Sequence, residues 1–205
     1  MSKITLYKND LPSDLLIQGD IAIDTETMGL NYKRDRLCLV QVSDQNGQVY
    51  LVQIDQGVTK APNLEKLLTD PNTIKIFHFA RFDIAALYHN LGILISNVFC
   101  TKIASKLVRT YTDSHGLKDL CKDLLAIQLS KQQQSSDWGN NVLTKEQQAY
   151  AASDVLYLHQ LKNRLQTLLI RENRMKIAQA CFDFLPNRAV LDLAGWENVD
   201  IFAHS

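Results

Sequence analysis

"IAIDTETMGL", residues 21–30, carries the decision about the fold. A short, mostly apolar, strand-like run leads straight into Asp24, and Glu26 follows two positions later. Successive side chains on a strand point to opposite faces, so Asp24 and Glu26 share a face and Thr25 takes the other. A buried carboxylate without a partner is costly. A buried strand that ends on two of them needs something elsewhere in the chain to offset their charge.

The flanking sequence builds a sheet around that strand. "ITLY" (4–7) reads as a short edge strand closed by "KNDLP". "LCLVQVSD" (37–44) and "QVYLVQI" (48–54) flank "QNG", the pattern of a hairpin. "TIKIFHF" (73–79) is a further buried strand, and "VFCTKIASKLVRTY" (98–111) passes from strand to helix. Helical spacing marks "PNLEKLLTD" (62–70), "ARFDIAALYHNLG" (80–92, with Gly92 as its stop) and "GLKDLCKDLLAI" (116–127). "SKQQQSSDWGNNVLT" (130–144) is polar and reads as a surface loop. From Thr144, an N-cap with Gln147 at the capping-box position, the pattern predicts one long helix to about residue 174. The tail from Cys181 shows no clear periodicity but is apolar enough to pack back on the body. The expected fold is α/β, a mixed sheet of hairpin and parallel strands with helices on both faces.

Composition limits the partners. The chain has 205 residues, 46% hydrophobic and 21% charged, which suits one domain with an ordinary core. Basic and acidic residues number 22 each, so overall charge gives no pull toward a polyanion, and any such partner must be held by a local site. Cys38, Cys100, Cys121 and Cys181 form no C-x-x-C and read as buried, reduced thiols. The N-terminus is too polar for a signal peptide, and no apolar run reaches membrane-spanning length. A soluble, cytoplasmic protein is expected.

Three further residues join the carboxylate pair. Asp83 lies near the start of a helix that follows a buried strand, where the helix dipole alone would favour it. Tyr150 and Asp154 are four apart on a helix and project from one face. Each has an ordinary reading by itself; together the four acids call for one explanation. Two carboxylates near 4 Å repel by roughly 4 kcal/mol at an effective dielectric of 20. A pair of divalent cations removes that repulsion, and all-oxygen ligation suits Mg²⁺ or Mn²⁺ rather than zinc. Such a pair can activate water and stabilise the leaving oxygen of a phosphodiester.

"DTET", "HFARFD" and "YAASD", in this order and spacing, resemble the three motifs of the DEDD exonuclease superfamily. Tyr150, four before the last aspartate, marks the DEDDy branch, and Ala149 stands where the other branch has histidine. The pattern is similar to ribonuclease D, over roughly residues 1–170. The resemblance implies a ribonuclease-H-like fold and 3′→5′ hydrolysis of single-stranded RNA ends to 5′-mononucleotides. It implies that Asp24, Glu26, Asp83 and Asp154 bind two metal ions and that Tyr150 orients or helps deprotonate the attacking water; a phenol with a pKa of about 10 favours orienting. It further implies substrate contacts from Thr27, Met28, Gly29 and Leu30, with Met28 and Leu30 wedged against the last base, and from His78. Residues 1–205 are expected to be one exonuclease domain, with a core to about 170 and a C-terminal helix and tail over 171–205. About 35 residues follow the core, too few for the helical HRDC-type domain of ribonuclease D. The family's Arg-Pro-Leu stretch after "DW" is replaced by "GNNVLT", and Lys131 with Gln132 to Gln134 could substitute in part for its arginine. Transfer-RNA and small-RNA precursors fit as substrates, and monomer or homodimer as the assembly. The alternatives are a DNA exonuclease and a non-catalytic nucleic-acid-binding module.

Overall fold

The computed structural model describes residues 3–130 and 136–204. The chain runs β1 (Ile4–Lys8), β2 (Ile21–Thr27), β3 (Leu37–Ser43), β4 (Val49–Gln53), α1 (Pro62–Leu68), β5 (Lys75–Phe77), α2 (Ala80–Leu91), β6 (Val98–Cys100), α3 (Thr101–Val108), α4 (Leu117–Leu125), α5 (Lys145–Leu156), α6 (Leu158–Arg171) and α7 (Met175–Leu191), then a closing turn at Asp192–Trp196. The strands form one mixed sheet in the order β1-β4-β3-β2-β5-β6. The expected hairpin is β3–β4, antiparallel, and β3 also runs antiparallel to β2. The remaining pairs, β1–β4, β2–β5 and β5–β6, are parallel.

β2 is an inner strand, paired with β3 along one edge and β5 along the other, and its first half is covered on both faces. Ile21, Ala22 and Ile23 are fully buried, and burying each isoleucine stabilises the fold by roughly 1.5–3 kcal/mol. The polar half of the strand lies at its exit from the sheet. There the β2–β3 register shifts between Glu26 and Thr27, an irregularity that bends a strand and re-aims its side chains. α5 packs across β2, β3 and β4. α2 reaches the other face, where Thr25 Oγ1 donates to Asp83 Oδ1 at 2.7 Å.

Three elements differ from expectation. The long helix is two, α5 and α6, broken at Tyr157 (φ −105°, ψ −1°). No proline or glycine marks the break; the two halves serve different partners, α5 the sheet and α6 helix α3. The capping box is present as expected, with Thr144 accepting from the Gln147 backbone and Gln147 returning the bond. The tail is largely helical: α7 runs through Pro186 and packs on α2. In the polar loop Trp138 is buried, and Arg36, Gln53 and Lys8 hold the carbonyls of Gly139, Asn140 and Asn141. Residues 131–134, with the proposed substitute Lys131, lie outside the described residues. Beyond α7, buried Asp192 takes salt bridges from Arg81 of α2 and Arg188 of α7. Among the described residues no helix is long and apolar enough to cross a membrane.

Candidate active site

The end of β2 is where the two helices meet the sheet. Asp24 and Glu26 point to the face covered by α5, as their alternation requires. α5 brings Asp154 against them, and carboxylate oxygens of Asp24, Glu26 and Asp154 all lie within 4.8 Å of one another. Asp83 enters from the first turn of α2, anchored through Thr25. Gln41, opposite Asp24 in the β2–β3 register, places its Nε2 3.5 Å from Asp24 Oδ2. Tyr150 sits one turn before Asp154 on α5, with its ring 6.1 Å from that of Trp138.

The acids raise one another's pKa values. Among the described residues no salt bridge reaches any of the four acids. Burial, then Asp154 and Asp83, push Glu26 up to about 9. Burial raises Asp83 and Asp154 to about 7 each, against hydrogen bonds that favour their charged forms. Asp24 is also raised, by burial and then by Asp83, Asp154 and Glu26. Three such groups at this spacing repel by roughly 3–4 kcal/mol per pair at an effective dielectric of 20. Hard divalent cations suit an all-oxygen set of this kind. Burial and the nearby carboxylates also raise the Tyr150 phenol.

Two openings flank the acids. One, about 350 Å³, is bordered by Tyr150, Asp154, His78, Phe79, Lys102 and Lys118. The other, about 540 Å³, is bordered by Thr27 to Leu30, Phe82, Asp83, His78 and Phe79. Met28 is 53% exposed and Leu30 84% exposed, so neither packs into the core. Gly29 has no room for a side chain: a Cβ there would stand 2.4 Å from Asp35 Oδ2. His78 is half-buried, and burial, then Lys102, lowers it to about 3, so its imidazole is neutral. Phe79 and Lys102 were not foreseen. Phe79 holds φ +71° where the chain turns from β5 into α2, and Lys102 lies 4.3 Å from its ring centre. Positive φ at a phenylalanine leaves no trace in sequence.

Carboxylates converging at the end of a mixed sheet define a class: divalent-metal nucleases of ribonuclease-H-like fold. The family model of 3′-5′ exonucleases matches residues 7–170, and the chain belongs to that family. It is 34% identical over 155 residues to ribonuclease D of Gluconacetobacter diazotrophicus, covering 76% of this chain and 39% of that protein. It is 35% identical over 147 residues to DNA polymerase I of Aquifex aeolicus, covering 72% of this chain and 24% of that protein. The chain thus spans less than half the length of the curated relatives it matches. Likeness over full length is found with Brucella melitensis NrnC bound to pGG, at 57% identity and a TM-score of 0.96 over 100% of both chains. A structure of the same Brucella protein with bound Mg²⁺ matches at 56% identity and a TM-score of 0.95, over 99% of this chain and 100% of that one.

Proposed function

We propose that the chain is a divalent-metal-dependent 3′→5′ exoribonuclease that removes 5′-mononucleotides from short single-stranded RNA. The observation that carries this reading is the convergence of Asp24, Glu26 and Asp154 within 4.8 Å, with no salt bridge to them among the described residues. Asp24, Glu26, Asp83 and Asp154 would hold two ions, Mg²⁺ or Mn²⁺. When bound, the ions acidify a water and stabilise the oxygen leaving phosphorus. Tyr150 orients that water; its raised pKa suits a hydroxyl that positions rather than deprotonates. Met28 and Leu30, exposed beside the acids, wedge against the terminal base, while Thr27 and Gly29 shape the turn that presents them. Residues 1–205 act as one domain. The pGG on the Brucella protein supports a substrate as short as a 5′-phosphorylated dinucleotide.

The test is a 5′-labelled single-stranded RNA incubated with Mg²⁺, with Mn²⁺ and with EDTA. A descending ladder that EDTA abolishes is expected; an intact RNA in every lane overturns the reading. The likeness to DNA polymerase I favours DNA as the second reading. It predicts degradation of the matched DNA and survival of the RNA.

A further inference from the structure

The fold sets the hydrogen-bonding state of His78. The residue follows β5 and stands where the two openings meet, bordering both. Its Nδ1 lies 2.9 Å from the Thr101 hydroxyl. That hydroxyl has one proton, and the Phe77 carbonyl oxygen 3.0 Å away receives it. A carbonyl oxygen has no proton to give back. Thr101 therefore turns a lone pair to His78, and Nδ1 carries the imidazole proton. A neutral imidazole has only one N–H, so Nε2 is an acceptor. Among the described residues the Thr101 contact is the one hydrogen bond His78 makes. Nε2 is left for whatever enters the cleft.

An acceptor selects by chemistry. Phosphate oxygens at neutral pH are acceptors themselves. Base N–H groups sit in different places on the four bases, so an enzyme that passes every base cannot depend on them. The sugar hydroxyl is the donor common to all ribonucleotides, and the 2′-hydroxyl is the one that DNA lacks. We propose that His78 Nε2 accepts a hydrogen bond from the ribose 2′-hydroxyl of a nucleotide flanking the scissile bond. Thr101 and the Phe77 carbonyl hold the ring in the tautomer this requires, and the contact selects RNA over DNA. The inference rests on the exonuclease reading and deepens it by naming the sugar.

The test crosses protein with substrate. Wild type, His78→Ala and His78→Phe (which keeps a ring without an acceptor) are assayed with Mn²⁺. The oligonucleotides carry ribose, 2′-deoxyribose or 2′-fluororibose in either of the last two nucleotides. For wild type, kcat/KM should favour ribose over both others by about tenfold, the worth of one good hydrogen bond. Both variants should lose the margin of ribose over the other two sugars, and their melting temperatures and circular dichroism show that they fold. Fluorine accepts but does not donate, so a fluoro substrate that matches ribose would mean Nε2 donates and would overturn the proposal. Equal loss on all three sugars, or a wild type indifferent to sugar, overturns it while leaving the exonuclease reading intact. No cleavage of any substrate overturns both. Independently of turnover, a long-range ¹H–¹⁵N spectrum of histidine-labelled protein should show His78 protonated on Nδ1; protonation on Nε2 refutes the assignment.

Discussion

Asp24 is the residue where the costs of this fold concentrate. It stands on an inner strand, among three other acids that raise its pKa after burial does. Its alternation with Glu26 was legible at once, because period two puts both on one face. Asp83 and Asp154 were legible as candidates, yet only the tertiary structure shows that Asp154 joins the tight cluster while Asp83 is tied in through Thr25. Lys102 was invisible because nothing local links α3 to β2. Asp154→Asn should lower kcat by on the order of 10³-fold, the scale of removing a charge-stabilising group from a site. Wild-type turnover in that variant would remove Asp154 from the metal set. Tyr150→Phe should lower kcat by roughly 10²-fold, the cost of a misplaced reactant, with no new ionisation in the pH–rate profile. Loss from that profile of a limb that rises with pH would instead make the phenol a base.

At the scale of elements, the site depends on how α5 starts. Its capping box holds the first turn, and the loop before it is fixed to the sheet by Arg36, Gln53 and Lys8. Thr144→Ala should cost about 1 kcal/mol of stability, the usual worth of an N-cap, read as a shift in the urea midpoint. A shift within error would mean the box adds nothing to the tertiary hold on α5. The cap was readable because Thr-x-x-Gln states its own geometry. The end of α5 was not, since Tyr157 leaves the helix for packing reasons that no local residue advertises. α7 was legible only in part, as a C-terminal helix somewhere in 171–205: Pro186 and a nearly all-round apolar pattern hide its course past Cys181, where contacts with α2 and β6 hold it.

For the whole molecule, the acids make stability depend on metal and pH. Their folded pKa values lie above the ordinary carboxylate range, so the folded state binds more protons than the unfolded one. Stability then falls as pH rises from about 4 through the folded values, about 7 for Asp83 and Asp154 and about 9 for Glu26. In EDTA the melting temperature should drop between pH 6.5 and 8.5, and Mg²⁺ or Mn²⁺ should restore it. Asp24→Asn should melt higher than wild type in EDTA and respond less to metal. A metal-free protein whose melting ignores pH in that window would mean the acids are not charged against one another. The last feature to weigh is the clasp between Arg81 and Asp192, 111 residues apart and two residues from Asp83. Seen in time rather than space, it puts competence after compaction. The sheet and the inner face of α2 can pack before the closing turn arrives, but the start of α2 gains its clasp to Asp192 only when that long loop shuts. During refolding of a Trp196→Phe variant, in which Trp138 is the remaining tryptophan, fluorescence should recover first and nuclease activity afterwards, so a chain can look folded before it can cut.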